Sequence, residues 1–425
     1  MKIAILGYGV EGKSIEKYFK NDDITIFNDF TKDDIASYKL DTFDIVFRSP
    51  SVSPHFKKLT KNNGKNWTSA TEYFFKNCPA KIIGVTGTKG KGTVCSMTTS
   101  LLKSLGFAVH LVGNIGIPAL DILDKVQATD VVVYEMSSFQ LWDLKKSPSI
   151  AGILRIEPDH LDIHKDYADY LSAKSHITKY QKANDFCVAY LDDHKSINIA
   201  RQSKGTVLTY PVGISKVLLS LLNSLTVPGY HNRENLEAAL LLTYAYYQST
   251  HPEEFGSEED FFKKHQKKLK EGIENYHSLP HRIEFVRELN SVKYYDDNYS
   301  SAYPALDVAI SAFEEYPTIL IAGGKDRGLD LSEMKTRIFS APNIKKTILI
   351  GETKKALSTR ENPRSYLLAE TLDEAVNAAR EIAENFATEK SPAIVLMSPG
   401  AASFDMFKNF EERGQKFQEL VKRLK

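Results

Sequence analysis

Short apolar runs alternate with amphipathic stretches along the whole 425-residue chain. The apolar runs are a few residues long, as buried strands are, and the stretches between them have helical spacing. This alternation is typical of α/β domains with largely parallel sheets. Strands are predicted near 3–6, 24–27, 45–47, 66–68, 81–86, 131–135, 150–156, 186–191, 283–288, 319–322, 347–350, 366–369 and 394–397, and helices near 232–247, 258–270 and 372–386.

Two breaks interrupt this pattern. Asn77-Cys78-Pro79 precedes a new strand, and Ser278-Leu279-Pro280 separates a charged helix from the last group of strands. A chain of this length is also too long for one ordinary core. We therefore predict three domains, at 1–78, 79–279 and 280–425.

Composition excludes several classes of protein. The 55 basic and 54 acidic side chains give a net charge of +1, so neither a nucleic acid nor an anionic membrane surface is an expected partner. The three cysteines form no CxxC pair, which indicates a reducing compartment and no thiolate zinc site. The N-terminal apolar run leads into a glycine turn and is predicted to be a strand, not a signal peptide. We expect a cytoplasmic monomer that acts on small molecules.

The glycine-rich segment 84–93, GVTGTKGKGT, follows a predicted strand and opens a predicted helix. In that context successive amide groups can turn inward on phosphate oxygens, and Lys91 would reach the β- and γ-phosphates of ATP. The hydroxyl residue usually found directly after the lysine is replaced by Gly92, and Thr93 could supply the hydroxyl for Mg²⁺. The predicted ATP-binding residues are Gly87, Thr88, Lys89, Gly90, Lys91, Gly92 and Thr93; the alternative is a glycine turn without a ligand.

Other polar residues also follow predicted strands. Glu135 ends one strand and His160 follows another, at the edge where parallel sheets bind ligands. Together they could bind a metal ion beside ATP, although either could be an ordinary surface group. Lys174, judged by its spacing alone, is predicted to be a solvated helix lysine. The GxGxxG turn at 7–12, followed by Asp29, favours a diphosphate ligand but also occurs as a packing turn.

Several blocks together resemble the Mur ligase family, and the resemblance covers nearly the whole chain. Block 398–414, SPGAASFDMFKNFEERG, is the most specific and is similar to that of the D-glutamate-adding members. The other blocks are the ATP loop at 84–93, EMSSFQL at 135–141, the metal-site loop DHLD at 159–162, YLSAK at 170–174 with the lysine that the family carbamylates, GYHNREN at 229–235 and LPHRIE at 279–284.

The resemblance implies a Rossmann-like UDP-binding domain, a central P-loop ATPase-type parallel sheet and a Rossmann-like C-terminal domain. It implies ATP-dependent ligation of D-glutamate to UDP-N-acetylmuramoyl-L-alanine through an acyl phosphate, with Mg²⁺. The implied roles are UDP-substrate binding by Val10, Glu11, Asp29, Phe30, Asn114, Ser137, Gln140 and His160; further ATP contacts by Asn235, Arg282 and Asp297; D-glutamate binding by Ser301, Arg327, Ser403 and Phe410; metal binding by Thr93, Glu135, His160 and carbamylated Lys174; and catalysis by Lys91, Glu135, His160 and Lys174.

The chain departs from the family pattern in places. Tyr299 replaces a lysine in the DSKAT-like block, here DNYSS at 297–301, and Ser51 replaces the glycine of SPG. The stretch 361–364, ENPR, is similar to a motif of diaminopimelate-adding relatives and is interpreted as a coincidental loop. Two alternatives stay open: a folylpolyglutamate synthase-like ligase and a non-catalytic nucleotide-sugar-binding paralogue. The glycine turn at 7–12 would also suit an NAD-dependent oxidoreductase, but the P-loop in the next domain argues against that class.

Overall fold

The computed structural model describes residues 1–28, 39–55, 66–213, 215–358 and 365–425. Within these ranges the strands form three sheets. The residues group into two compact units, Met1–Leu225 with Arg233–Tyr276, and Thr226–Asn232 with His277–Lys425. The predicted α/β fold class is confirmed. The first unit contains two of the sheets, and the division of the chain after residues 78 and 279 stays a prediction.

The first unit begins with a four-stranded parallel sheet and two helices: β1 (Lys2–Leu6), α1 (Val10–Tyr18), β2 (Asp23–Phe27), β3 (Ile45–Arg48), β4 (Trp67–Thr68) and α2 (Ala70–Asn77). The strand order is β2-β1-β3-β4. Both faces of β1 are covered, because Ile3 and Ile5 pack in one cluster while Ala4 and Leu6 pack in another. This alternation is the period of two expected for a strand that is buried on both sides.

The second sheet has six parallel strands in the order β10-β9-β8-β5-β7-β6. Every residue of its inner strand β7 is buried, as expected where helices cover both faces of a parallel sheet. The elements are β5 (Lys81–Thr86), α3 (Lys91–Leu105), β6 (Val109–Gly113), β7 (Val131–Glu135), α4 (Ser138–Leu141), β8 (Ile150–Ile153), α5 (Tyr167–Lys179), β9 (Phe186–Tyr190), α6 (His194–Ala200), β10 (Thr206–Tyr210), α7 (Lys216–Leu222), α8 (Tyr230–Thr250) and α9 (Glu258–Glu274).

The third sheet lies in the second unit and has the order β11-β12-β16-β13-β14-β15, with β11 antiparallel to its neighbour. Its core has two layers: Ile319 and Ile321 of β13 pack on one side, and Leu320 and Ala322 on the other. The elements are β11 (Glu284–Leu289), β12 (Val292–Asp296), α10 (Tyr303–Ser311), β13 (Thr318–Gly323), α11 (Ser332–Ser340), β14 (Ile344–Ile350), α12 (Lys354–Leu357), β15 (Tyr366–Leu368), α13 (Leu372–Glu384), β16 (Ala393–Met397) and α14 (Phe410–Arg423).

Local sequence explains where several helices begin. Ser69, Asp166 and Asn409 each accept a hydrogen bond from a backbone amide in the first turn of α2, α5 and α14. Thr371 forms a capping box with Glu374 at the start of α13. These side chains satisfy amides that would otherwise lack a partner. No helix in the described part of the chain combines the length and apolar character that a bilayer crossing requires.

Three strands were not predicted from the sequence. β6 and β10 lie at the two edges of the second sheet, and polar residues, His110 in β6 and Thr206 and Thr209 in β10, interrupt their apolar pattern. Lys293 interrupts the run in β12, which reads VKYYD. In addition, β8 ends at Ile153, three residues earlier than predicted, so the loop towards His160 is longer.

Replacing Phe417 of α14 by alanine is expected to destabilise the second unit. Phe417 is 0% exposed within the core cluster of this unit, and deleting a buried phenylalanine ring costs about 3–5 kcal/mol of unfolding free energy. Phe386→Ala is the matched control, because Phe386 is 40% exposed and its removal should cost well under half as much. Urea denaturation of both variants checks this, and equal losses would contradict the assigned core.

Candidate active site

The loop between β5 and α3 passes close to its neighbours at two glycines. Gly87 has a φ of 155°, and a Cβ built on it would lie 2.7 Å from Leu154 Cβ. Gly90 has a φ of 83° and caps α3, and a Cβ there would lie 2.7 Å from Asn235 Oδ1. Glycine at these two positions therefore allows the loop to pack against Leu154, just after β8, and against Asn235 in α8. The predicted ATP contact Asn235 is thus placed beside the loop.

Two lysines converge on this loop. Lys91 Nζ donates to the carbonyl oxygens of Gly87 and Thr88 at 3.1 and 2.9 Å. Lys174 Nζ donates to the same Gly87 oxygen at 2.8 Å and to Thr86 Oγ1 at 3.2 Å. Two amines on one carbonyl oxygen, beside the N-terminus of α3, form an environment that favours a polyphosphate.

Lys174 is buried, with 1% of its surface exposed. Burial, and secondly the charge of Lys91, hold the pKa of Lys174 well below its usual value. The ring of Tyr170 lies 4.7 Å from its Nζ. A neutral amine has the free electron pair that carbamate formation requires, so the residue fits this modification. The prediction of a solvated lysine, drawn from spacing alone, is wrong.

Thr88 joins the loop to the segment that leads to His160. Its hydroxyl lies 2.9 Å from Tyr170 Oη and donates to the Glu157 carbonyl at 3.0 Å. The Glu157 amide donates back to it at 2.9 Å, and the Thr88 amide donates to the Arg155 carbonyl at 2.9 Å. The hydroxyl and the amide of Thr88 therefore both hold the glycine loop to the segment after β8.

Glu135 is buried at the end of β7, in register with Val85 of β5 and Gly113 of β6. Its Oε1 accepts a long hydrogen bond, 3.4 Å, from Asn114 Nδ2. The predicted metal ligand and the predicted substrate contact therefore meet at the strand ends, next to the phosphate loop.

Gln140 connects the second sheet to the glycine turn of the first. It forms a capping box with Ser137 at the start of α4. Its Nε2 donates to Glu11 Oε1 at 2.6 Å. Burial raises the pKa of Glu11, and its other carboxylate oxygen has no hydrogen-bond partner among the described residues. Three residues predicted to contact the UDP substrate thus form one connected group.

His160 has a left-handed backbone, with a φ of 54°. Its side chain is 47% exposed, its Nε2 lies 3.4 Å from Asp159 Oδ2, and its ring centroid is 4.9 Å from that of Phe139. Behind it, buried His164 has Nδ1 3.0 Å from Asp169 Oδ2 and Nε2 2.9 Å from Ser138 Oγ. Phe139 also stacks on His164, so one ring supports both imidazoles.

The remaining UDP-site candidates are Val10, Asp29 and Phe30. Val10 begins α1 and is 72% exposed, whereas Asp29 and Phe30 lie outside the described residues, as does the segment 361–364. Sequence reasoning did not identify Arg48, whose Nε donates to Asp143 Oδ2 at 2.7 Å. This buried arginine ties β3 to the segment after α4.

In the second unit, Asp297 is buried just after β12. Its Oδ2 accepts from Ser398 Oγ at 2.7 Å and its Oδ1 from the Ile283 amide at 3.2 Å. Burial raises the pKa of Asp297 to about 7, against the lowering effect of these hydrogen bonds. The carboxyl group can therefore gain or lose a proton near neutral pH.

Asp296 anchors the turn that carries Arg282. Its Oδ2 accepts hydrogen bonds from His281 Nδ1 at 2.7 Å and from Gln418 Nε2 at 2.9 Å. Its Oδ1 accepts hydrogen bonds from the backbone amide of Asn298 at 3.0 Å and from Asn298 Nδ2 at 2.7 Å. The ligand atoms of His281, Asp296 and Glu284 lie within 4.8 Å of one another. However, these hydrogen bonds occupy the lone pairs of the Asp296 carboxylate, so the cluster is a positioning network and not a metal site.

The predicted D-glutamate residues lie at the carboxyl ends of three neighbouring strands. Ser301 follows β12 and Arg327 follows β13, and both are exposed. Ser403 follows β16 and is 2% exposed, and Phe410 is the first residue of α14. The backbone joins two of these loops, because the Lys325 amide donates to the Ala402 carbonyl at 2.8 Å.

Buried Arg413, also not identified from the sequence, fixes the same region. Its Nε donates to Asn298 Oδ1 at 2.7 Å, and its other nitrogens donate to the carbonyls of Ala401 and Ala402 at 3.1 and 3.3 Å. Arg413 belongs to the 398–414 block, and this was its only signal in the sequence.

Comparison with known proteins agrees with this arrangement. Residues 85–243 match the Mur ligase middle domain. The chain is 33% identical to the UDP-N-acetylmuramoylalanine–D-glutamate ligase of Clostridium tetani, over 91% of this chain and 84% of the relative. It is also 33% identical to the ligase of that name from Ruminiclostridium cellulolyticum, over 100% of this chain and 97% of the relative.

A solved structure shares the fold. The MurF ligase of Thermotoga maritima, in complex with ADP, superposes with a TM-score of 0.55 at 16% identity, over 90% of each chain. The predicted family resemblance is thus confirmed over nearly the full sequence. On this evidence the chain belongs to the Mur ligase family and is an ATP-dependent ligase that forms a carbon–nitrogen bond.

Proposed function

We propose that the protein joins D-glutamate to UDP-N-acetylmuramoyl-L-alanine, converting ATP to ADP and phosphate, in peptidoglycan precursor synthesis. Two relatives that match nearly the whole chain carry the name of this activity. The structural observation that supports it most is the pair of lysines on the Gly87 carbonyl, with Glu135 buried at the end of β7, the strand that neighbours β5. We also propose that the three predicted domains work as one cytoplasmic monomer.

The chemistry requires activation of a carboxylate. An amine does not displace oxygen from a carboxylate, because the leaving group is too basic. Transfer of the γ-phosphoryl group to the alanine carboxylate gives an acyl phosphate, and attack by the D-glutamate amine then releases phosphate and forms the amide. Lys91 supports the first step by exchanging its loop carbonyl partners for the β- and γ-phosphates.

One Mg²⁺ would be held by Glu135 and His160 with the hydroxyl of Thr93, and the carbamate of Lys174 would hold a second metal ion. Hydroxyl and carboxylate oxygens are the hard donors that this ion prefers, and an imidazole can complete the set. Bound there, Mg²⁺ would neutralise phosphate charge. Glu135 is buried, and the hydrogen bond that it accepts from Asn114 is long, at 3.4 Å. Such a carboxylate is suited to bind a cation.

The substrates would be recognised around these groups. Val10, Glu11, Asp29 and Phe30 would hold the UDP moiety, and Asn114, Ser137, Gln140 and His160 the sugar–peptide end. Burial raises the pKa of Glu11, which favours the uncharged form of a carboxyl group near a diphosphate. Asn235, Arg282 and Asp297 would add contacts to ATP, and Ser301, Arg327, Ser403 and Phe410 would surround D-glutamate.

Lys91→Ala is expected to reduce turnover at least a hundredfold, because it removes the charge that stabilises the transferring phosphoryl group, an effect of about 3 kcal/mol or more. Lys103→Ala on the same helix is the control, since Lys103 is exposed in its last turn. Phosphate release in the presence of both substrates measures the effect. Wild-type turnover in Lys91→Ala would contradict the assigned role of the loop.

Lys174→Ala is expected to be inactive and partly rescued by short carboxylic acids, which can replace the carbamate oxygens. The lowered pKa of Lys174 favours the neutral amine, which is the form that reacts with CO₂. Carbon-13 NMR of the wild type in labelled bicarbonate should show a carbamate signal that Lys174→Ala lacks. Lys179→Ala, exposed on the same helix, should keep the signal, and full wild-type activity without any carbamate would refute the proposal.

D-Glutamate is expected to be the best acceptor among D-glutamate, L-glutamate, D-glutamine, meso-diaminopimelate and L-lysine. A guanidinium can hold a carboxylate through paired hydrogen bonds, so Arg327→Gln should raise the KM for D-glutamate at least tenfold, with little change for ATP. Arg423→Gln is the control, because Arg423 is 72% exposed at the end of α14. Better turnover with a diamino acid would leave the ligase chemistry intact but assign the wrong amino acid.

A further inference from the structure

Arg282 stacks on Tyr299 in the second unit. Its guanidinium carbon lies 3.7 Å from the centre of the tyrosine ring, the shortest cation–ring distance among the described residues. A guanidinium at this distance is attracted by the negative face of the ring. The contact is therefore a specific interaction and not a chance approach of two surface side chains.

The ring of Tyr299 is itself held in place. It contacts Phe410 edge-to-face, with ring centroids 5.2 Å apart at 83°. The amide of Tyr299 donates to the His281 carbonyl at 2.9 Å, and Phe410 lies edge-on to the His281 ring. Because both backbone and ring are fixed, the face on which Arg282 rests is fixed as well.

The backbone of Arg282 is constrained on both sides. His281 and Ile283 have φ angles of 62° and 47°, a left-handed conformation that is unfavourable for a β-branched residue. It persists because the Ile283 amide donates to Asp297 Oδ1 and the His281 ring is bound to Asp296. The backbone of Arg282 is therefore fixed. The direction of its long side chain is set by the contact with the Tyr299 ring.

We propose that Tyr299 is a positioning residue that holds the Arg282 guanidinium in the direction in which it meets ATP. The inference rests on the proposed function, in which Arg282 contacts the nucleotide. The family pattern has a lysine at position 299. This chain has the neutral Tyr299 there, and its ring binds the guanidinium of Arg282. The chemical feature that matters is the π face of residue 299, and its hydroxyl is dispensable.

The test compares Tyr299→Phe with Tyr299→Leu in the full-length protein, using calorimetric titration with ATP and Mg²⁺. Tyr299→Leu keeps bulk but lacks a π face, and should raise the Kd for ATP about three- to tenfold. Tyr299→Phe keeps the face and should stay within about twofold of the wild type. Phe255→Leu is the control, since Lys264 lies over Phe255 at 5.1 Å in the first unit, and the Kd of this variant for ATP should not change.

Two outcomes would overturn the proposal: an unchanged Kd in Tyr299→Leu, or an equal loss in Tyr299→Phe, which would assign the effect to the hydroxyl. Thermal melting of Tyr299→Leu, Arg282→Gln and the double variant tests the stack without any nucleotide. The shifts in Tm should be non-additive, because the second substitution removes a partner already lost. If the wild type does not bind ATP, the proposed function fails, whereas additive shifts in Tm mean that the stack fails.

Discussion

The carbonyl oxygen of Gly87 is the point on which the chemistry of the first unit depends. Lys91 and Lys174, from different helices, both donate to it. A neutral carbonyl cannot compensate two positive charges; burial first, and the charge of Lys91 second, therefore lower the pKa of Lys174. The close approach of Leu154 to Gly87 excludes a side chain at that position. A single glycine therefore joins the predicted phosphate loop to the buried lysine.

The second unit is organised by two adjacent aspartates in opposite states. Burial raises the pKa of Asp296, but hydrogen bonds from His281, Asn298 and Gln418 outweigh burial and lower it. Burial dominates at Asp297, where the pKa rises to about 7. The difference follows from the number of donors that each carboxylate meets. Asp296 is thus a charged anchor of the turn. Asp297 can gain or lose a proton near neutral pH, and a ligand can shift that equilibrium.

The sequence predicts those features that local patterns encode. Inner strands such as β5 and β7 were predicted to the residue, because a short continuous apolar run between two helices is typical of a buried parallel strand. The glycine loop was predicted from its spacing, and Glu135 from its position at a strand end. Contacts between distant segments, such as Gln140 with Glu11 and Arg413 with Asn298, have no local signal. Lys174 does have a local signal. It shares the helical spacing of Tyr170, Ala173 and Ile177, which are all buried with it in α5, and the prediction of a solvated lysine overlooked this spacing.

The buried amine of Lys174 also affects the stability of the fold. In the unfolded chain this lysine is protonated below a pKa near the ordinary 10.5, whereas in the folded protein its pKa lies well below that value. Unfolding between these two pKa values therefore takes up a proton, and the free energy of unfolding rises with pH across that window. At neutral pH this buried amine therefore weakens the folded state, although it is the group that we propose to be carbamylated. An apolar side chain in this place would give a more stable protein without the amine, so at this residue the stability of the fold and the proposed role in catalysis oppose each other.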